Sequence, residues 1–417
     1  MRVVAVNQVY RPSPLATAQL LTELCEGLAA RGHEVSVVTA RLSDDAPPEV
    51  VEGGVRVVRA GATRLGKSSL WRRAADYATF YMSAAGAIAR LARRADVLLP
   101  LTTPPLVGAL AQLVTMAGAP RPPRPVVPVV QDLYPDVAVA LGAVRPGGLA
   151  HRAWAAANGL HLRGARRVVA LSQRMADRIA AYGVPSDRID VIPNWALAEL
   201  EDAPTTVTQG AEARLAYGLG DRFVVMYSGN MGAGHRFDAL LEAARRLVDR
   251  QDIAFCFVGE GLRRGEIARA AAALPNVSLH PLAPRERLAE SLAAGDLHVV
   301  TMRDDVDGLI VPSKLYGVLA AARPVLSIGP LASDVAEVTR RAGAGVALAG
   351  DDVDGVTRAI VELAARPDRG AALGRAGRAY LLAELGRERA LDRYEATLAR
   401  ALGQSPKTHT PLRSQLP

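Results

Sequence analysis

Short apolar runs alternate with amphipathic helical patterns along almost the whole chain, and this alternation limits the fold more than any other feature. Val3–Val6 is an unbroken apolar run, as expected of a strand buried on both faces. Ala16–Arg31 follows with Leu20, Leu21, Leu24 and Leu28 at helical spacing, and Gly32 stops it. Glu34–Thr39 is the next strand. Val55–Arg59, Val97–Leu101, Val126–Val130, Arg167–Leu171 and Ile189–Ile192 continue the series. Strands separated by helix-length segments predict a parallel sheet with helices on both faces.

The rhythm breaks at Leu197–Gly210, where Glu-Asp, Ala-Pro, Thr-Thr and Gln-Gly pairs read as a linker. It then restarts. Phe223–Tyr227 is a strand, Phe237–Arg250 a helix, and Ile253–Val258, Val277–His280, Leu297–Thr301 and Val325–Ile328 are further strands. The expected organisation is α/β, with two doubly wound domains, 1–196 and 213–370, joined by a linker at 197–212. Residues 371–403 read as helices too polar for a core that pack back across both domains, and 404–417 as a disordered tail.

Composition narrows the partners. The chain has 417 residues, half of them hydrophobic, and a net charge of +8. Only Lys67, Lys314 and Lys407 are lysines among its 50 basic residues, the bias of a GC-rich, bacterial genome. The charge suits an anionic partner or a solvated arginine-rich surface. No basic run interleaved with aromatics suggests a nucleic-acid module. Cys25 and Cys256 lie far apart in apolar contexts and read as buried, reduced thiols. No Cys/His cluster has metal spacing. The amino-terminal MRVVAVNQVY reads as a strand rather than a signal peptide, and no apolar run is long enough to span a bilayer. A cytoplasmic location follows as the expectation.

In doubly wound sheets, ligands sit at the carboxyl ends of the strands, so the chemistry is sought in the loops after them. Arg303–Pro324 follows one strand-like run and precedes another. It holds an acidic loop, Pro312-Ser313-Lys314 and a helical LYGVLAAA run. A helix starting at Ser313 aims amide N–H groups forward, and Lys314 adds a charge, the wiring of an anion site. Ser228–Gly234 (SGNMGAG) is a glycine-rich loop between strand and helix. It reads as a phosphate cradle using Gly229, Asn230 and Gly232, or as an ordinary tight turn. His235 and Arg236 are placed to reach a pyrophosphate, or stand on the surface. In Val258–Gly261 (VGEG), Gly259 and Glu260 face a ribose or base, or Glu260 serves the next helix by its charge. Asp132, in Gln131–Asp136, ends its strand at cleft position, or caps a turn. Asp305-Val306-Asp307 is a D-x-D, read as solvated surface rather than as a metal pair. Gly61–Ser68 (GATRLGKS) matches the P-loop pattern. The helix after it, Leu70–Arg94, carries Trp71, Tyr77, Phe80, Tyr81 and Met82 flanked by arginines. It reads as an interfacial amphipathic surface, or as a core helix with arginine at both ends.

Taken in order, LAARGHEVSVVT (28–39), VQDLYPD (130–136), ALSQRM (170–175), VIPNW (191–195), MYSGNMGAGH (226–235), FVGEG (257–261) and GLIVPSKLYGVLAAARPV (308–325) resemble the family-4 retaining glycosyltransferases of the two-domain GT-B fold. The resemblance covers about residues 1–400. It is nearest to the bacterial branch that builds cell-surface polysaccharides, such as amino-sugar transferases of fucosamine type. It implies two Rossmann-like domains facing a cleft. It also implies metal-free, cofactor-free transfer of a sugar from a nucleotide-diphosphate donor, with retention. The C-terminal domain would hold the donor and the N-terminal domain the acceptor. Gly229, Asn230, Gly232, Ser313 and Lys314 would line the diphosphate, and Glu260 would lie near base or ribose. Relatives carry an Arg and a Lys where Asn230 and His235 stand, a His where Gln131 stands, and often a ribose-binding carboxylate where Gly317 stands. Asp307 is the nearest substitute for their donor-sugar carboxylate.

Charge developing on the leaving β-phosphate would be met by Lys314, helix N-termini and loop amides. Asp132 or the leaving phosphate would shield the positive sugar centre. The basic, aromatic 62–94 segment suggests contact with anionic membrane and a lipid-linked acceptor at the inner face of the plasma membrane. A soluble natural-product precursor is the other acceptor. A sugar-nucleotide epimerase of the same fold, a P-loop NTPase acting through Lys67, and a non-catalytic binding protein are the rival readings.

Overall fold

The computed structural model describes residues 1–41, 43, 45–63, 65, 70–118, 122–204 and 210–405. In the N-terminal half lie β1 (Arg2–Val6), β2 (Glu34–Ala40), β3 (Glu49–Glu52), β4 (Val55–Ala60), β5 (Val97–Pro100), β6 (Val129–Val130), β7 (Val168–Ala170) and β8 (Ile189–Val191). They run in the order β3-β4-β2-β1-β5, continued by β6-β7-β8. A bridge between Leu98 and Val126 joins the two groups. Every pairing is parallel except β3 with β4. That hairpin turns on Gly53 and Gly54, both at positive φ (58° and 74°), the geometry of a two-residue primed turn.

The C-terminal half holds β9 (Phe223–Ser228), β10 (Ile253–Val258), β11 (Val277–His280), β12 (Leu297–Thr301), β13 (Val325–Ile328) and β14 (Gly345–Leu348). Their order is β11-β10-β9-β12-β13-β14, all parallel. Both faces are covered, so β10 is buried at all six positions. Phe255 and Phe257 pack with Tyr227 and Phe237 on one face, while Cys256 and Met226 pack on the other. Strand order reverses between β1 and β5 in the first half and between β9 and β12 in the second. Those are the two crevices where a doubly wound sheet takes a ligand. Both cysteines are free and buried.

Two expectations need correction, and one open alternative is decided. Residues 197–204 are no loose linker: Leu197 and Leu200 are buried with Leu292, Leu315 and Leu319, and Ala198–Glu201 is a short helix. Residues 205–209 lie outside the described residues. The terminal helices are not too polar for a core. Leu381 and Leu385 join the C-terminal core, and one face of Arg387–Ala401 (Leu391, Tyr394, Leu398) completes the N-terminal one. The polar opposite face binds instead of floating, since Arg31 pairs with Glu388, Asp392 and Glu395 at 2.6–2.7 Å. Finally, the helix Leu70–Ala92 buries Phe80, Ala84 and Ile88 against β1, β2 and β4, so its apolar face belongs to the core. Tyr81 bonds the Pro105 carbonyl, and Met82 stays exposed.

The chain crosses between the halves twice, and buried Glu23 stands at both crossings. Its carboxylate accepts from Trp195 Nε1 and Ala198 N, each at 2.9 Å, and Arg387 Nε lies 4.0 Å away. Burial pushes this carboxyl above its ordinary range. Glu23→Ala would leave two buried N–H groups without acceptors. We expect a loss of about 2–4 kcal/mol in urea unfolding, whereas Glu23→Gln, which keeps one acceptor, should lose less.

Candidate active site between the two sheets

The loops after β9 and β10 interlock. Gly229 N bonds Val258 O at 2.9 Å, and Met231 N bonds Glu260 O at 2.7 Å. Gly259 has φ +154°, and a Cβ there would lie 2.0 Å from Gly229 O. Gly261 has φ +141°, and its Cβ would lie 2.6 Å from Asn230 Oδ1 and from Met231 O. These two glycines are needed for loop to meet loop. Gly229, at φ +123°, instead presents its open side to Lys314, 3.5 Å from Cε.

Lys314 opens the helix Lys314–Ala320 after the long loop that follows β12. Its ammonium donates to Tyr227 Oη and to Asn230 O (3.3 Å), and sits 3.6 Å from the centre of the Tyr227 ring. The Tyr227 hydroxyl in turn donates to Asn230 O at 2.8 Å. Among the described residues, its contacts are thus neutral oxygens and a π face. Burial pushes the Lys314 pKa well below the usual lysine range. A cation desolvated without a counter-charge is what a bound anion would complete. Ser313 adjoins it, half-buried, with a hydroxyl that caps nothing.

The residues around this cradle depart from expectation. His235 is buried and turned inward, its Nδ1 2.6 Å from Thr301 O and its ring edge-on to Tyr227. Burial, helped by Lys314, pushes it down to about 3. It is a neutral strut under the cradle and does not reach out to a pyrophosphate. Arg236 is drawn away to Asp304 (3.5 Å) and Asp238 (3.6 Å). Glu260 is exposed and paired with Arg264 at 3.1 Å, as a helix charge would be. Gly232 packs against the Asn230 side chain. A Cβ at Gly317 would meet Leu200 and Leu292 at 3.4 and 3.5 Å, so this position faces apolar packing rather than a ribose.

The backbones at Asp132 and Asp307 meet at one residue across the cleft. Ile310 bridges in antiparallel fashion to Asp132 and in parallel fashion to Asp307. Leu133 N bonds Leu309 O at 2.9 Å, and Leu309 is buried among Val130, Leu133, Leu171 and Met175 of the N-terminal half. The segment 306–311 is therefore a strap from one half packed into the other. Burial pushes the Asp132 carboxyl up to about 6. Asp307 is buried and ion-paired with Arg174 at 2.5 Å, while Asp305 pairs with Arg303. Of the D-x-D, Asp305 is exposed as expected, whereas Asp307 is not solvated surface but buried against an arginine.

Gly229, Asn230, Ser313 and Lys314 converge on one wall, with Asp307 on the strap beside it and Asp132 on the N-terminal loop that the strap meets. Tyr227 and Arg174 were missed as site residues, although both lie in quoted motifs, MYSGNMGAGH and ALSQRM. The Gly66-Lys67-Ser68 end of the P-loop match lies outside the described residues. A cavity of about 840 Å³ lies elsewhere, against Asp96, Arg124, Arg166 and Arg188. Those residues precede β5 to β8, at the end of the sheet opposite to where such folds bind ligands.

Known proteins share this architecture. Residues 17–195 match the glycosyl transferase 4-like domain, and residues 222–366 match the glycosyl transferases group 1 domain. The chain is 26% identical over 345 residues to the protein named colanic acid biosynthesis glycosyl transferase WcaI of Escherichia coli K12, covering 77% of this chain and 81% of that one. Its backbone follows sucrose-phosphate synthase of Thermosynechococcus elongatus with a TM-score of 0.73 at 16% identity, over 97% of this chain and 99% of that one. It follows Anabaena HepE, solved in complex with UDP-glucose, with a TM-score of 0.70 at 13% identity, over 97% and 99%. With a glycosyl transferase 4-like domain followed by a group 1 domain on two facing doubly wound sheets, the chain is a glycosyltransferase of the GT-B fold.

Proposed function

We propose that the protein moves a sugar from a nucleoside-diphosphate donor held by its C-terminal half to an acceptor presented by its N-terminal half. Retention of anomeric configuration and independence of a divalent ion are part of the reading. The observation that carries it is Lys314, desolvated at a helix start over Gly229 and met, among the described residues, by neutral partners. A diphosphate supplies the missing charge. The UDP-glucose complex of HepE, a protein of the same fold, supports a sugar nucleotide as that ligand.

In the reaction, the bond from the anomeric carbon to the β-phosphate oxygen breaks. Lys314 and the loop amides stabilise the charge left on the diphosphate. The acceptor oxygen bonds the same face of the sugar, and its proton passes to the leaving phosphate. Asp132, when ionised, faces the positive sugar centre from the N-terminal half, and Asp307 serves the sugar from the strap. For the acceptor we favour a lipid-linked glycan, supported by the relative named for colanic acid biosynthesis. Met82, Arg90, Arg93 and Arg94 remain on the outer side of the 62–94 segment to meet an anionic surface.

A thermal-shift screen of UDP-, GDP- and dTDP-sugars should find a donor that stabilises the protein. Lys314→Ala should then lower turnover by about 100-fold or more; unchanged kinetics in a folded variant would remove Lys314 from the site. Nucleotide release that needs no acceptor would favour epimerisation over transfer.

Lys314 also sets a pH trend. Its pKa is depressed in the free protein and rises once a diphosphate lies beside it, so binding favours the protonated form. Affinity for the nucleoside diphosphate should be greatest at low pH and fall as pH rises through the lysine's titration. Calorimetry across pH should show that trend in the wild type and not in Lys314→Ala.

Flotation with anionic liposomes tests the acceptor. Salt-sensitive binding is expected, and its absence would favour a soluble acceptor.

A further inference from the structure

We propose that Arg174, on the N-terminal half, is a positioning residue for the donor sugar: it holds the Asp307 carboxylate so that one of its oxygens is kept for a sugar hydroxyl. The inference rests on the glycosyl-transfer reading above and adds a residue to it.

The geometry of the pair points this way. Arg174 places both Nε (2.6 Å) and Nη2 (2.5 Å) on the single oxygen Oδ2 of Asp307. The other oxygen, Oδ1, is buried and has no partner among the described residues. A pair built only for adhesion would lay two N–H groups along two oxygens, the fork-to-fork arrangement that satisfies both. Here both donors crowd one oxygen and the second is left bare. An unpartnered buried acceptor is costly, and a carboxylate more so. Its position between the two halves, beside the Lys314 cradle, marks it for a donor group that arrives with the substrate. A carboxylate oxygen accepts and cannot donate. The complementary group is therefore a hydroxyl of the sugar rather than an oxygen of the phosphates.

Both sides of the pair are built rather than incidental. Arg174 lies in the first turn of the helix Gln173–Ala181, whose start is capped by Ser172 Oγ accepting from Met175 N at 3.1 Å. Asp307 is fixed by the bridge to Ile310. Gly308, next to it, sits at φ +72°, and a Cβ there would lie 2.8 Å from Arg178 Nε and 3.2 Å from Arg174 O. Glycine at 308 thus lets the strap lie directly on the arginine's helix. Without the arginine, Oδ2 of Asp307 would lose both of the donors that hold the carboxylate in place. Because the two residues come from different halves, this part of the donor site is complete only while the halves are together.

The test compares ligands that differ only by the sugar. UDP and GDP, and UDP-glucose and GDP-mannose, are titrated into wild type, Arg174→Met, Arg174→Lys and Asp307→Asn by calorimetry. Turnover is followed with whichever sugar nucleotide binds. Arg174→Met and Asp307→Asn should leave affinity for the bare diphosphate within about 3-fold and weaken the sugar nucleotide or its turnover by about 10- to 100-fold, the scale of a hydrogen bond to a charged group. Arg174→Lys should recover part of the loss. Equal weakening of diphosphate and sugar nucleotide, or a fall in Tm with both affinities unchanged, would show a purely structural pair and overturn the assignment. If no nucleotide binds wild type, the glycosyl-transfer reading fails first and this inference falls with it.

Discussion

The strap 306–311 is the contact on which the site depends. Each half is a complete doubly wound sheet, and each could orient its own loops alone. What fixes one set of loops against the other is Ile310 bridging to both Asp132 and Asp307, with Leu309 buried in the opposite core. Burying an apolar side chain such as Leu309 contributes roughly 1.5–3 kcal/mol. The backbone bonds beside it add direction rather than much strength. Lys314 begins its helix four residues after Ile310, so the strap also sets where the cation stands relative to Asp132. One short segment thereby ties the acceptor-side carboxylate to the donor-side cation.

The crossings between the halves are held by different physics. At the two crossings, Glu23 accepts from Trp195 and Ala198 while the backbone N–H of Arg387 donates to Glu201. Burial, the main cause, pushes the Glu201 carboxyl up to about 7. Hydrogen-bonded carboxylates at a crossing allow small rotations without unpacking a core. The strap, by contrast, is an apolar plug with an ion pair beside it.

Much of this was legible in the chain, and the reasons differ by element. β10 to β13 were read to the residue because buried parallel strands are continuous apolar runs with clear ends. β3 was missed although Glu52-Gly53-Gly54-Val55 is a hairpin signal, because only alternate side chains of the strand turn partly inward. The linker reading failed because Glu-Asp and Ala-Pro pairs hid Leu197 and Leu200, whose burial depends on a helix more than a hundred residues away. The terminal helix looked polar because its composition was averaged over both faces, and only one meets the core. In the site, Gly229 and Lys314 were legible from loop chemistry. Arg174 was not, since its meaning comes from Asp307, 133 residues later. The turn of His235 inward was equally hidden, for nothing local distinguishes a strut from a ligand.

The exceptions to good packing share one character. Two half-buried arginines are answered in full: Arg167 by Asp190, and Arg31 by three carboxylates. Lys314 and Asp307 are answered only in part, the first by neutral groups and the second on one oxygen. Sequences that specify a fold satisfy their polar groups, and departures from that rule collect where a ligand completes the arrangement. The two deficits are of opposite kind, a cation wanting negative charge and an acceptor wanting a hydroxyl. They lie at either end of the same loop, from Asp307 to Lys314. A molecule that meets both must carry anionic oxygens at one end and hydroxyls at the other, which is the description of a sugar joined to a diphosphate.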